Sequence, residues 1–300
     1  MSLVDNPASP ALDGTGDVVP MGGGAMSRGW RQVGTWPWTL RVGLLGLATV
    51  LVVLLLTPWI APHDPAAQDL ARRLQPPSAE NWLGTDQLGR DVLSRIMWGG
   101  RFSVSIAAVT LVISAVFGTL LGIVCGRVRG AFDEFVMRVS DVLLAFPEMI
   151  VAMVLVAILS PGYSTLVIAL VVGGWTPFAR LARGLALEIS SRDFIEAAES
   201  LGFSRRFIVL RHVLPNASGP LLAHASLRFG HMLITVGALS FLGLGVQPPA
   251  ADWGSMLAAG LPYMSRSAGA VVFPGLAIFL TALSVTLIGQ GIDVRRRRQE

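Results

Sequence analysis

The sequence predicts an all-α polytopic membrane protein with six transmembrane helices and both termini on the cytoplasmic side. Three observations predict it. The 300 residues are 53% hydrophobic and only 14% charged, with a mean hydropathy of +0.63, more apolar surface than a soluble domain buries. The apolar residues gather into six runs, Val42–Ile60, Ser103–Gly126, Val142–Ser160, Leu166–Ala186, Leu221–Leu244 and Val271–Ile288, each long enough to cross about 30 Å of hydrocarbon. All 23 cationic residues are arginine, and an N-in, C-in arrangement places sixteen of them on the inner side against six outside. That asymmetry is the positive-inside signature.

The elements follow in chain order. Residues 1–27 are rich in Gly, Pro, Ala and Asp, a composition that cannot offset the entropy of ordering, and read as a disordered cytoplasmic tail. Residues 28–60 form an N-terminal anchor helix, with Arg28, Arg31 and Arg41 before the apolar run. Its late start and the lack of a small-residue cleavage pattern favour an uncleaved anchor over a signal peptide. Residues 61–101 form an extracytoplasmic segment, punctuated by proline and ending in "NWLGTDQLGRDVLSRIMWGG". There Asp86, Arg90 and Asp91 read as solvated cap and turn residues, with ligand binding as the alternative, and Val92, Ile96 and Trp98 as residues on the membrane surface. A helical core spans 102–295, with a long inner connection at 187–220, and a basic tail closes the chain at 296–300.

Composition also excludes chemistry. Without lysine there is neither a Schiff-base amine nor a P-loop lysine, so the chain lacks a Walker A site for ATP hydrolysis. The arginines are scattered between apolar runs instead of forming a stripe with aromatics, which argues against nucleic acid as a partner despite a pI near 10.4. Cys125 is the single cysteine, so there is no disulfide framework and no thiolate metal site. No catalytic residues and no metal ligands are assigned.

The inner connection holds "EAAESLGFSRRFIVLRHVLP", residues 196–215. Asp193 and Glu196 have capping-box spacing, so a helix is expected to start with Asp193 as its cap. Gly202 then bends the chain, Ser204 caps a second short helix, and Pro215 closes the segment. In the second helix Phe203, Phe207, Leu210 and Leu214 share one stripe, with Arg205 and His212 facing away. Such a helix suits an apolar groove with an acidic rim, an anionic lipid surface or a solvated loop.

Polar groups within the spans mark a second region, because charge at membrane depth is costly and usually faces protein or water. Arg138 and Asp141, spaced i, i+3, are expected to pair locally. Glu148, after Pro147, either lines a path or pairs with another subunit. His224, Arg228, His231 and Thr235 make a polar stripe along the fifth span. The stripe fits a water-filled path or, equally, a snorkelling arginine with histidines on neighbouring carbonyls. A metal site from two histidines without an adjacent carboxylate is the weaker reading.

"EAA", three residues, Gly, nine residues and "HVLP" resemble the cytoplasmic coupling loop of ATP-binding cassette importer permeases. "NWLGTDQLGRDVLSR" and "LSFLGLGVQPP" followed by "WG" resemble the dipeptide, oligopeptide and nickel permeases of that group, over roughly residues 35–295. The resemblance implies a core permease domain at 102–295. It also implies a homologous second permease, two ATPase subunits that hold ATP and Mg, an extracytoplasmic solute-binding protein, and a bacterial cytoplasmic membrane. It implies no cofactor bound by this chain. It assigns Glu196, Ala197, Ala198 and Gly202 to the coupling element, to which the residue pattern adds Asp193, Arg205, Phe207 and Leu210. The implied cargo is di- or oligopeptides, with glutathione or nickel as alternatives; a secondary transporter or channel is the alternative of a different class. The sequence departs from its relatives at Val236, commonly acidic there, and at Arg228 and His231, commonly small. Trading an acid for bases argues against a cationic cargo such as nickel.

Overall fold

The computed structural model describes residues 36–297; the predicted tail at 1–27 and residues 298–300 of the basic tail lie outside the described residues. Among these the chain is all-helical, with no strand longer than a single bridge between Thr85 and Asp91. The helices are α1 Trp38–Ile60, α2 Val92–Val128, α3 Gly130–Ala145, α4 Glu148–Leu159, α5 Tyr163–Ser190, α6 Asp193–Ser200, α7 Arg205–Ile208, α8 Leu214–Phe241, α9 Trp253–Gly260 and α10 Gly269–Arg297.

Four of them, α1, α2, α5 and α10, are long and apolar enough to cross a membrane, and a fifth span arises if α3 and α4 count as one bent unit. The third predicted run therefore does not form one straight helix. Its two halves meet at 89°, because Pro147 has no N–H to continue the ladder and forces the preceding Phe146 into extended backbone. Helix α8 has the length of a span, 28 residues, but carries His224, Arg228 and His231 and is not among the helices apolar enough to count as one.

The most extensive helix pair is α2 with α5, and glycine explains the close approach. A Cβ on Gly118 would lie 2.3 Å from the Trp175 carbonyl oxygen, and one on Gly122 would lie 2.2 Å from that of Ala179. Small residues one turn apart let two apolar backbones touch where water supplies no driving force. Helix α1 packs on α10 and buries only Leu40, Gly43, Leu54 and Thr57. Leu47 and Val50 also pack against the core, while most of its other apolar side chains point outward, as in a lipid-facing helix.

Two of the predicted motifs are joined at the start of α2 and α9. The Trp253 indole N–H donates to the Ile96 carbonyl at 2.8 Å, and its backbone N–H to Ser103 Oγ at 3.1 Å. Asp252 caps α9 by accepting from the Gly254 and Ser255 backbone N–H groups. Burial raises the Asp252 carboxyl above the usual carboxylate range, against the stabilising effect of those donors.

Candidate functional site

The outer segment is a closed polar network. Asp86 accepts from Arg90 Nε at 2.7 Å, lies 3.4 Å from Arg95 Nε, and also takes the Leu88 and Arg90 backbone N–H groups. Asp91 caps α2 by accepting from Ser94 N at 2.8 Å, and Asn81 donates to its other oxygen at 3.0 Å. Asp86, Arg90 and Asp91 are thus cap and turn residues, as expected, but buried instead of solvated. Val92 is buried as well, which removes it from the predicted membrane-surface set. Trp98 is half-buried, with the Arg101 guanidinium stacked over it at 5.0 Å. This cluster escaped the sequence reading because its charges pair across turns whose shape is set by Gly84 and Gly89, both at positive φ.

The inner connection has the expected helix, bend, helix shape, with three corrections. Helix α6 begins at Asp193, and its cap is Arg192 without any side-chain cap bond. Asp193 and Glu196 sit in the first helical turn, one position too far in to make a capping box, where they interact favourably with the helix dipole instead. The C-terminal end closes as a Schellman motif. Gly202 at φ +78° donates to the Glu199 carbonyl, and the Phe203 N–H to that of Ala198. Ser204 then caps α7 by accepting from Phe207 N at 3.3 Å, as its position predicts.

The second correction is at Pro215, which does not end the helix. Residues Val209–Val213 form a π turn that runs straight into α8. Widening the ladder there accommodates a ring that lacks a donor, so Pro215 becomes the first turn of α8. The third is His212, which does not face away from the aromatic stripe. Its ring lies 5.8 Å from that of Phe207 and 6.0 Å from that of Phe194.

Burial divides this connection into two faces. Ile195, Ala198, Ile208, Val213 and Ala217 pack with Ile123, Ala182 and Ile189 in one apolar cluster on α2 and α5. The predicted stripe points the other way: Phe203, Phe207 and Leu210 are exposed, and Leu214 is half-buried. Phe203 and Phe207 stack with ring centres 4.8 Å apart, beside exposed Phe194 and Leu201. Asp193, Glu196, Ala197, Gly202 and Arg205 are exposed too; of the two alanines only Ala198 serves close packing.

The polar groups within the helices are rearranged relative to expectation. Arg138 pairs with Glu134 at 2.7 Å and Asp141 with Arg180, so the predicted Arg138–Asp141 pair is replaced by one i, i+4 contact and one contact across helices. Glu148, first residue of α4, pairs with Arg228 of α8 at 2.8 Å. The structure thereby joins two path candidates that sequence spacing kept apart. The pair is half-buried, with side chains 21% and 16% exposed. His224 packs edge-on against Phe178 at 5.0 Å, Thr235 is buried with its hydroxyl on the His231 carbonyl, and His231 is exposed. The stripe is therefore not one uniform polar face. Among the described residues no group of three or more His, Cys, Asp or Glu is placed to hold a metal ion.

A bundle in which four helices are long and apolar enough to cross a membrane defines a polytopic membrane protein, and this one carries an exposed aromatic ridge on the connection at 187–220. The fold resembles the methionine ABC transporter MetNI solved in inward-facing conformations, with a TM-score of 0.52 at 18% identity over 66% of this chain and 96% of that chain. Residues 118–298 match the family described as binding-protein-dependent transport system inner membrane component, and residues 40–77 match the N-terminal TM domain of oligopeptide transport permease C. The chain belongs to the binding-protein-dependent inner membrane component family and is a permease component of an ATP-binding cassette importer. Relatives include the probable D,D-dipeptide transport system permease DdpC of Escherichia coli K12, 38% identical over 88% of each chain. The di/tripeptide permease DppC of Pseudomonas aeruginosa UCBPP-PA14 is 39% identical over 83% of this chain and 84% of that one. The glutathione permease GsiD of Escherichia coli O6:K15:H31 is 40% identical over 88% and 87%.

Proposed function

We propose that this chain forms half of the translocation path of an ATP-driven importer of di- or oligopeptides, and that α6 and α7 couple it to an ATPase subunit. The working assembly contains a second homologous permease, two ATPase subunits with their ATP and Mg, and an extracytoplasmic binding protein. It sits in a bacterial cytoplasmic membrane with six crossings and both termini inside. In this reading α8 is a span despite its polar residues, because its charged side chains face protein or a path instead of lipid.

The observation that carries the coupling assignment is the exposed Phe203–Phe207 stack. Water-exposed aromatics on a helix whose opposite face is locked into the core are the anchors a protein partner buries. The relatives named for dipeptides, di- and tripeptides and glutathione support a peptide cargo, with glutathione the nearest alternative. Val236 is buried and uncharged and Glu148 is already paired with Arg228, so neither position offers a free carboxylate for a cation such as nickel. A secondary transporter has no use for such a ridge.

The test is reconstitution with partner subunits. Replacing both Phe203 and Phe207 by serine leaves the chain folded and inserted, while substrate-stimulated ATP hydrolysis falls by about tenfold or more, as expected when hot-spot anchors are lost. Full stimulation in that variant rejects the coupling assignment.

A further inference from the structure

The inner end of α2 and the helix that continues through α7 enclose a groove beside the Phe203–Phe207 ridge, sharing Leu210 of that stripe, and Phe203 lines the cavity next to it. Its walls are Ile123, Val124 and Val128 on one side and Val209 and Leu210 on the other, around a cavity of about 380 Å³. Nearly all of this lining is apolar, and Val124, Val128 and Leu210 are open to the surroundings. Arg127, Arg205 and Arg206 stand at its edge.

A second cavity of about 470 Å³ adjoins it and shares Arg127 and Arg205 as a common wall. It is predominantly polar and adds Arg129, Ser190 and Glu199. Arg127 is already committed, to Glu199 at 2.7 Å and Ser190 at 3.1 Å. Among the described residues no carboxylate pairs with Arg129, Arg205 or Arg206, so the double cavity carries three uncompensated positive charges at its mouth.

Position narrows the occupant. Residues Ile123 to Val128 form the last turn and a half of a 37-residue helix, and the apolar run of α2 stops at Arg127 and Arg129. The groove therefore spans the boundary between acyl chains and head groups. An apolar trough that opens into a basic chamber at that depth has the polarity of an amphiphile with an anionic head.

We propose that this double cavity is a binding site for one anionic phospholipid, with an acyl chain along Val124, Val128 and Leu210 and the phosphate held by Arg205 and Arg206, aided by Arg129. The placement in the inner leaflet rests on the N-in orientation proposed above. The size falls within the usual range of small-molecule sites, about 300–1,000 Å³. The lipid would wedge the α7 region against α2 and so brace the segment that carries the aromatic ridge.

The test uses the assembled transporter in nanodiscs of phosphatidylcholine with a minor fraction of phosphatidylglycerol. After extraction, native mass spectrometry is expected to find phosphatidylglycerol retained over phosphatidylcholine. Arg205→Gln and Arg206→Gln each reduce that retention about fivefold, near the usual contribution of one arginine at an anionic surface. Val124→Trp, which fills the apolar trough without altering charge, also lowers it, and soluble glycerol phosphate does not displace the lipid. Equal retention of the two lipids, or retention unchanged in all three variants, overturns the proposal. So does loss of the ATPase subunits from the Arg205→Gln and Arg206→Gln complexes, which makes the groove part of the protein interface. Retention is read without transport, whereas the Phe203 and Phe207 substitutions are read by stimulated hydrolysis, so failure of one reading leaves the other visible.

Discussion

The outer and inner connections are built from similar materials, arginines and acids interleaved with apolar residues and bent by glycine, yet they end in opposite states. In the outer one every central charge is buried and answered within the chain: Asp86 by Arg90 and Arg95, Asp91 by Asn81 and the α2 backbone. In the inner one Arg205 and Arg206 carry no acid partner among the described residues, and Leu201 is 77% exposed. The contrast separates a segment that answers its own charges from one that leaves charges and large apolar side chains open to the surroundings. Charged residues in a loop thus say little about function until their partners are located.

The largest expected effect breaks the outer network. Asp86→Ala strands two buried guanidiniums, and removal of one partner from a buried charge pair typically costs about 3–5 kcal/mol. Thermal unfolding of the assembled complex in nanodiscs should drop by many degrees. A drop no larger than that of an exposed control such as Glu134→Ala would show that the outer network is not structural, and the comparison would lose its first half.

Two glycines sharpen the same contrast. Gly89 and Gly202 both adopt left-handed backbone, at φ +73° and +78°. A Cβ on Gly89 would fall 1.7 Å from the Asp69 carbonyl oxygen, whereas one on Gly202 meets nothing within 4 Å. Gly89→Ala therefore adds a steric clash to backbone strain and should unfold the outer segment. Gly202→Ala carries the strain alone, about 1–2 kcal/mol. Hydrogen exchange should quicken across residues 193–208 in Gly202→Ala while the helical core keeps its protection. Equal loss of global stability in the two variants would contradict the idea that the inner connection is held only by its own buried face.

What the sequence made legible depended on local chemistry. The Ser204 cap and the Gly202 bend follow from residues acting on their own backbone within a few positions, and these the structure reproduces; of the six apolar runs, four appear as long apolar helices and one as a bent pair among the described residues. The failures share one cause, a partner distant in sequence. Asp141 finds Arg180 rather than Arg138, Glu148 finds Arg228 eighty positions away, and the buried outer cluster arises because turns fold its charges together. Pro215 misled for a related reason: a π turn in the preceding residues absorbs the missing donor, and no residue type announces that device. The exposed aromatic ridge was legible as a stripe, but which stripe faces the core was settled by Ile208 and Val213, two residues the periodic count did not use.

The smallest expected effect concerns the Glu148–Arg228 pair, and it asks whether the region between the two connections is structure or path. A positive stripe would favour the carboxylate end of a peptide, but Glu148 at 2.8 Å neutralises Arg228, so the native pair should discriminate little by charge. Each single substitution exposes the surviving charge. Arg228→Gly leaves a carboxylate that favours lysine-rich peptides, and Glu148→Gln leaves a guanidinium that favours acidic ones. A unit charge about 8 Å away at an effective dielectric near 40 feels about 1 kcal/mol, roughly fivefold in relative uptake. Uptake of the two peptide classes, measured with the same binding protein and corrected for its affinities, should therefore shift in opposite directions in the two variants. The double substitution Glu148→Gln with Arg228→Gln should restore the native ratio, since it removes both charges together. Shifts of the same sign in both single variants, or no shift beside a loss of thermal stability in each, would mean that the pair fastens the bent α3–α4 unit to α8 and never meets the cargo.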